Sequence, residues 1–189
     1  MSHPILIVVH GASASGKTEL SRYLARELGL PLLAKDEIKE TLFTHFDHHS
    51  IVESDRIDAA SLDLLWLWLE WFMAGSPRNL VVETAFPATI SQPRLMDLVQ
   101  RHDHAVVQIF CHATEPVLRQ RYVDRARTPD RHPGHQDLAR VEGQPIPESS
   151  SNHPLDLPGP LIDVDTTNTE TVDYRHIRER VADLIGKRN

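Results

Sequence analysis

The chain has 189 residues, 40% of them hydrophobic and 25% charged, which is the balance of one globular domain with a full core, and we assign residues 1–189 to that domain. Its formal net charge of -7 disfavours nucleic acid as a partner, because proteins that hold a phosphate backbone usually carry a basic surface. The single cysteine, Cys111, excludes an internal disulfide and is typical of a reducing compartment. We see neither a signal peptide nor a membrane span, and therefore expect a cytoplasmic protein.

Short β-rich apolar runs alternate with stretches of helical spacing along the chain. The pattern predicts strands at 5–9, 31–34, 80–82, 105–111 and 161–164. It predicts helices at 18–28, 36–43, 56–73, 90–101, 115–127 and 171–187. Strands that alternate with helices indicate an α/β fold, with a parallel sheet covered on both faces.

Two segments depart from this regular pattern. The helix at 56–73 is apolar nearly all round, which favours a core helix but also fits a homodimer face or an aromatic wall of the substrate pocket around Trp66, Trp68 and Trp71. Between the predicted helix 115–127 and the last strand lie seven of the 13 prolines. A loop of this length inside a domain is functional or disordered, and we interpret residues 128–160 as a lid.

The strongest motif follows the first strand and opens the first helix. It matches the Walker A pattern G-x-x-x-x-G-K-[ST] at every fixed position and is called the phosphate loop below. Its residues are Gly11, Ala12, Ser13, Ala14, Ser15, Gly16, Lys17 and Thr18. Glycines let successive N–H groups point at phosphate oxygens, while the lysine reaches the β- and γ-phosphates and the threonine hydroxyl ligates Mg²⁺. The loop predicts binding of ATP with Mg²⁺.

A kinase also needs groups for the acceptor hydroxyl, and the other predicted strand ends supply candidates. Asp36 follows the second strand and can accept the proton of the hydroxyl, although it can equally cap the helix that follows. Lys39, one turn on, can hold an anionic group of the substrate. Glu83 ends the third strand, where it can hold Mg²⁺ or bind substrate.

Arginines are concentrated at the end of the predicted helix 115–127 and the start of the lid. Arg121 and Arg125 are four residues apart, which places them on one helix face, and Arg119, Arg127 and Arg131 lie nearby. Guanidinium groups stabilise the charge that develops during phosphoryl transfer. We predict that Lys17, Asp36, Arg121 and Arg125 surround the γ-phosphate.

Taken together, these motifs resemble a group of small P-loop kinases that includes zeta toxins, chloramphenicol phosphotransferases and the kinase domain of polynucleotide kinase. The resemblance rests on the phosphate loop, on Lys35-Asp36-Glu37-Ile38-Lys39, on the strand end at Glu83 and on Arg121-x-x-x-Arg125. It implies a three-layer, adenylate-kinase-like core with five parallel strands, and Asp36 as the catalytic base. It also implies that residues 165–168, including Asp165 and Thr167, lie near the adenine.

Other functions remain open from the sequence. The first hypothesis is an ATP-dependent kinase acting on a hydroxyl of a small molecule, and a polynucleotide 5′-kinase or a nucleotide sensor without catalysis are alternatives. A GTP switch is disfavoured because no Asn-Lys-x-Asp motif follows a strand. The histidines at 45, 48 and 49 match no zinc spacing. For His132 and His135 we favour exposed rings in a turn over contact with the substrate.

Overall fold

The computed structural model describes residues 3–75, 78–143 and 153–187. Its centre is a sheet of five strands: β1 (Ile5–Gly11), β2 (Leu32–Ala34), β3 (Leu80–Glu83), β4 (Ala105–His112) and β5 (Leu161–Asp165). All neighbouring strands are parallel, in the order β2-β3-β1-β4-β5. The predicted α/β fold with a five-stranded parallel sheet is confirmed.

The helices connect the strands and lie on both faces of the sheet. They are α1 (Lys17–Leu28), α2 (Lys35–Phe43), α3 (Ile51–Gly75), α4 (Ala88–Arg101), α5 (Glu115–Ala126), α6 (Asp137–Gly143) and α7 (Tyr174–Gly186), with single turns of 3-10 helix at Pro133–His135 and Thr169–Thr171. Helix α3 begins earlier than predicted because Ser50 and Glu53 form a capping box, in which each side chain bonds to the other residue's backbone N–H.

The strands are buried on both faces, which gives the fold its three layers. Leu6 and Val8 of β1 point into a core shared with α3 and α4. Ile5, Ile7 and Val9 point the opposite way, into a core shared with α1 and α7. A run of five apolar residues without a polar one is therefore what this central strand requires.

Helix α3 divides its aromatic side chains between the core and the surface. Trp66 is fully buried against Phe86, so the core interpretation is confirmed for this ring. Trp68 and Trp71 are exposed together with Leu67 and Phe72. Trp71 lies roughly 20 Å along the helix from Asp58, which contacts the site described below, so this ring does not line a substrate pocket there. The homodimer stays a prediction. No described helix has the length and apolarity needed to cross a membrane.

The last part of the predicted lid belongs to the body of the domain. Leu155 and Leu157 are buried in the core beneath α3 and α4. The side chain of Gln108 accepts a hydrogen bond from Leu155 N at 2.7 Å and donates one to Leu155 O at 3.0 Å. The predicted boundary of the lid at residue 160 is therefore wrong, because residues 155–160 pack on β4. Residues 144–152 of the predicted lid lie outside the described residues.

Gly159 is the position where this packing is tightest. Its backbone has a φ of +119°, and a Cβ added there would stand 2.3 Å from the carbonyl oxygen of Val106. We expect Gly159→Ala to lower the free energy of unfolding by about 1–3 kcal/mol, as overpacking usually does. Gly186→Ala is the matched control, since no atom lies within 4 Å of its added Cβ. Urea unfolding of the two variants measures the difference, and equal stabilities would contradict the close approach.

Candidate active site

Parallel pairing brings the carboxyl ends of three strands to one edge of the sheet. Val9 of β1 lies opposite Glu83 of β3, and Glu83 lies opposite Ala34 of β2. Gly11 lies two residues after Val9, and Asp36 lies two residues after Ala34. The register therefore places the start of the phosphate loop, the buried carboxylate and the candidate base side by side, as the sequence predicts.

The phosphate loop has the backbone geometry of an anion cradle. Gly11 has a φ of +148°, and a Cβ there would stand 2.0 Å from the carbonyl oxygen of Cys111 on β4. Ala14 and Gly16 also have positive φ, at 65° and 80°, before α1 begins at Lys17. The hydroxyl of Ser15 is buried without a hydrogen-bond partner among the described residues. Curled backbone, a helix N-terminus and an unpaired hydroxyl fit a bound phosphate.

Lys17 and Thr18 converge on Glu83 at the bottom of the cradle. The Lys17 ammonium lies 3.9 Å from Glu83 Oε1 and donates to the carbonyl of Ala12 at 3.2 Å, while the hydroxyl of Thr18 donates to Glu83 Oε2 at 3.3 Å. Ser13 is exposed at the tip of the loop. Burial raises the pKa of Glu83, although the charge of Lys17 opposes this shift.

A hydroxyl and a carboxylate are the oxygen donors that Mg²⁺ prefers, so Thr18 and Glu83 fit a shared Mg²⁺. No group of three or more His, Cys, Asp or Glu side chains in the described ranges could hold a metal by itself. The donor set therefore suits an ion held between the protein and the phosphates of a nucleotide, which is how Mg²⁺ is usually bound.

Asp36 faces the same edge and does not cap its helix. Helix α2 begins at Lys35 with Ala34 at the N-cap position, so Asp36 lies inside the first turn and the predicted capping alternative is wrong. Burial alone would raise the pKa of Asp36, but the charges of Lys35 and Lys17 outweigh it and hold the pKa well below its usual value. The carboxylate is thus ionised at neutral pH and available as a hydrogen-bond acceptor.

Arg131 is the arginine that meets Asp36. Its guanidinium lies 3.7 Å from Asp36 Oδ2 and 3.9 Å from Glu40 Oε1, and its Nε donates to Asp137 Oδ2 at 2.6 Å. From the sequence, Arg131 is only a neighbour of the helix arginines. The sequence feature that points to Arg131 is the cluster of arginines at the start of the lid. Its contacts depend on the turn at Pro133–His135, and a turn leaves no periodic pattern in the sequence.

Arg121 and Arg125 lie on one helix but contact different parts of the site. Arg121 donates to the backbone carbonyls of Thr166 at 2.7 Å and Thr167 at 3.2 Å. Arg125 lies 3.6 Å from Asp137, with its guanidinium 5.4 Å from the centre of the Tyr122 ring. In this structure Arg121 is bound to the loop after β5, whereas Arg125 belongs with Arg131 near Asp36.

The loop after β5 is fastened to the phosphate loop and to α5. The Thr166 hydroxyl donates to Ser15 O at 3.1 Å and lies 2.9 Å from His112 O. Asp165 accepts a hydrogen bond from Thr167 N at 2.8 Å, and the Thr167 hydroxyl accepts one from Thr114 N at 3.2 Å. Asp165 and Thr167 therefore hold the shape of this loop beside the phosphate loop.

Lys39 forms an ion pair within the protein. It is buried, and its ammonium donates to Asp58 Oδ1 at 2.9 Å, where Lys35 also donates at 2.6 Å. Burial lowers the pKa of Lys39, and the Asp58 carboxylate partly restores it. The expectation that Lys39 holds an anionic group of the substrate stays a prediction, and in this arrangement a carboxylate of the protein is bound to the ammonium. Asp58 was missed because it lies within a helix that the sequence marks mainly as apolar.

The two lid histidines pack inward. His132 stacks on the Phe43 ring with centroids 5.0 Å apart, and the buried His135 contacts Glu40 at 3.0 Å. The expectation of exposed rings is wrong for His135, because the turn folds onto the end of α2. Burial lowers the pKa of His135 to about 4, and the charge of Arg131 acts in the same direction.

A cavity of about 270 Å³ adjoins the other side of the phosphate loop. It was not predicted, because its walls come from β4, α5 and the segment that the sequence assigned to the lid. The lining residues are Ala12, Phe110, His112, Ala113, Leu118, His153 and Pro154. The anchored segment after residue 152 therefore forms one wall of the space beside the phosphate loop.

Comparison with known proteins gives the family. Residues 6–144 match the AAA_33 family of AAA domains, so the chain belongs to that family, and its fold is the P-loop NTPase fold of the kinase type. A crystal structure from Chloroflexus aurantiacus, named a "putative kinase", is 33% identical over the whole of both chains, with a TM-score of 0.83.

More distant structures share the fold. The APS kinase of Mycobacterium tuberculosis, in complex with AMPPNP and APS, is 17% identical over 98% of each chain, with a TM-score of 0.60. A sugar kinase from Janibacter sp. HTCC2649 is 16% identical over 96% of this chain and 92% of that one, with a TM-score of 0.52. No curated protein matches the sequence.

The buried histidine in the site makes stability depend on pH. The folded protein holds His135 neutral down to about pH 4, whereas the unfolded chain protonates it near 6.5. The unfolded state therefore binds more protons in this range, and stability falls as the pH is lowered. Between pH 7 and pH 5, we expect the free energy of unfolding of His135→Gln to fall by about 2 kcal/mol less than that of the wild type, as measured by urea unfolding. The exposed His176→Gln is the control, and an unchanged pH dependence in His135→Gln would contradict the assignment.

Proposed function

We propose that this protein is a kinase that transfers the γ-phosphoryl group of ATP to a hydroxyl group of a small molecule. The observation that carries the proposal is the ionised Asp36 carboxylate at the same sheet edge as the phosphate loop, with Arg131 beside it. A nucleotide-binding loop alone requires no such group, whereas transfer to a hydroxyl does. The similarity to the Chloroflexus protein supports the same reaction class.

In this proposal the phosphate loop binds the β- and γ-phosphates. Backbone N–H groups and the N-terminus of α1 bind the phosphate oxygens, and Lys17 turns from the carbonyl of Ala12 to the transferring group. Thr18 and Glu83 would hold Mg²⁺, which when bound neutralises charge on the phosphates. Arg121 and the loop containing Asp165 and Thr167 would then border the nucleoside, since they adjoin the phosphate loop on the side of β5.

Asp36 orients the acceptor hydroxyl and accepts its proton. The acceptor oxygen forms a bond to the γ-phosphorus while the bond from that phosphorus to the β,γ-bridging oxygen breaks, leaving ADP. A carboxylate of low pKa is a weak base, but phosphoryl transfer proceeds through a loose transition state in which the hydroxyl proton leaves late. Orientation is then the larger contribution, and a carboxylate that stays ionised provides it at all physiological pH values.

Arg125 and Arg131 are placed to balance charge on the transferring group. Both are held by Asp137, at 3.6 Å and 2.6 Å, and Asp137 also accepts a hydrogen bond from the Tyr122 hydroxyl at 2.8 Å. The buried carboxylate therefore orients two guanidinium groups from a helix and a loop. Preoriented cations of this kind stabilise a transition state without reorganising during the reaction.

A small-molecule acceptor agrees better with the charge of the chain than a polynucleotide does. The formal net charge is -7, and three carboxylates of the acceptor side, at Asp36, Glu40 and Asp58, are partly exposed. A nucleic-acid strand would bring many phosphates to this surface. We therefore place the 5′-hydroxyl oligonucleotide among the controls rather than among the expected acceptors.

Asp36→Asn tests the proposal. We expect the variant to lose at least about 100-fold in acceptor-stimulated ATP consumption, because the neutral amide orients the hydroxyl less strongly than a carboxylate and cannot accept its proton. Binding of AMPPNP with Mg²⁺, measured by calorimetry, should change little. The assay uses a panel of hydroxyl-bearing sugars, nucleosides, antibiotics and 5′-hydroxyl oligonucleotides.

Glu37→Gln is the matched control on the same helix turn, since Glu37 pairs with Arg22 at 3.0 Å on the surface. It should keep full turnover. Normal transfer by Asp36→Asn would remove Asp36 from the mechanism. Tight nucleotide binding with no turnover on any acceptor would favour a nucleotide sensor over a kinase.

A further inference from the structure

The acceptor side of the site is a cluster of charges that neutralise each other. The ion pairs on the acceptor side of α2 join four cationic and four anionic side chains of the described residues. They are Lys35, Lys39, Arg125 and Arg131 on one hand, and Asp36, Glu40, Asp58 and Asp137 on the other. His135 is in contact with the same cluster and is neutral at neutral pH. These groups therefore sum to no net charge.

Helix α2 separates the charges into two rows. Lys35 and Lys39 are four residues apart and both donate to Asp58 Oδ1 on α3. Asp36 and Glu40 are also four residues apart and both face the guanidinium of Arg131. Residues at this spacing share a helix face, so each row meets a partner of opposite charge on a neighbouring element.

Exposure differs between the two signs in the ion pairs that α2 forms with Asp58 and Arg131. The side chains of Lys35, Lys39 and Arg131 are 15%, 6% and 13% exposed. The side chains of Asp36, Glu40 and Asp58 are 39%, 40% and 38% exposed. In these pairs the cations lie beneath and the carboxylates lie at the surface, whereas Asp137 is 6% and Arg125 is 32% exposed. A molecule that approaches α2 therefore meets carboxylate oxygens first.

Carboxylate oxygens accept hydrogen bonds from hydroxyl groups and repel anions. A molecule with several hydroxyl groups can therefore bind here with its donors satisfied. A phosphate, sulfate or carboxylate group would have to displace Asp58 from two lysines, one of which is buried. Removing one partner of a buried ion pair is strongly unfavourable.

We propose that the acceptor is an uncharged polyhydroxyl compound and that Asp58 is the residue that excludes anionic acceptors. Asp58 acts by neutralising Lys35 and Lys39, so it is a specificity-determining residue rather than a catalytic one. This inference rests on the proposed function for the identity of the site, but it makes a separate statement about charge. An anion-binding measurement can therefore test it without a known acceptor.

The probe is radiolabelled inorganic sulfate, measured by equilibrium dialysis on protein saturated with AMPPNP and Mg²⁺. The nucleotide fills the phosphate loop, so sulfate reports on the acceptor side. We expect no sulfate binding by the wild type, and one sulfate per protein in Asp58→Asn, because both lysines then lack their carboxylate. Asp63→Asn, an exposed position on the same helix, should behave as the wild type.

The double variant Asp58→Asn with Lys39→Met removes the buried charge that Asp58→Asn leaves unpaired. It should be more stable than the single variant and should bind sulfate less tightly by at least about tenfold. Sulfate binding by the AMPPNP-loaded wild type, abolished by Lys39→Met, would overturn the inference. If Asp58→Asn does not fold, the wild-type measurement still decides between the two outcomes.

Matched pairs of acceptors give the second readout: glucose with glucose 6-phosphate, and uridine with uridine 5′-monophosphate. We expect any turnover to favour the uncharged member, and Asp58→Asn to shift the ratio of kcat/KM toward the charged member by about tenfold or more. Preference of the wild type for a charged member would contradict the inference while leaving the kinase assignment intact. Failure of AMPPNP to bind at all would instead contradict the proposed function.

Discussion

The parallel register of β2, β3 and β1 is the constraint on which the site depends. Because Ala34, Glu83 and Val9 lie opposite one another, the phosphate loop, the buried carboxylate and Asp36 reach one edge at the same height. Gly11 belongs to this constraint, since any side chain there would overlap the carbonyl oxygen of Cys111 and push β1 from β4. A shift of one residue in the β1–β3 pairing would separate Lys17 from Glu83. A shift in the β2–β3 pairing would separate Asp36, the candidate base, from Glu83 and the candidate metal position.

Around this fixed edge, the charges are arranged by elements that meet it from different directions. Asp137 of α6 orients Arg125 from α5 and Arg131 from the turn before it, while Asp58 of α3 holds two lysines of α2. Each of these two carboxylates therefore forms ion pairs with two cations from other segments of the chain. The consequence is a site whose charged groups are held in place before any ligand arrives, which limits the reorganisation that binding requires.

Much of the fold and the central part of the site could be predicted from the sequence, for physical reasons. Continuous apolar runs such as 5–9 identify strands buried on both faces, and the phosphate loop has fixed spacing because its backbone must curl around an anion. What the sequence did not reveal depends on contacts between distant segments. Arg131, Asp58 and the buried His135 acquire their partners only when the lid turn, α2 and α3 come together. The packing of Leu155 on Gln108 is of the same kind, since a proline-rich segment carries no periodic pattern.

Helix α3 has a practical consequence for spectroscopy. All three tryptophans of the chain, Trp66, Trp68 and Trp71, lie on this one helix, and the first is buried against Phe86 while the last is exposed. Intrinsic fluorescence therefore reports on α3 in two environments at once. The same helix carries Asp58 at the acceptor side. A displacement of α3 during substrate binding would alter the emission of Trp66 without any introduced label.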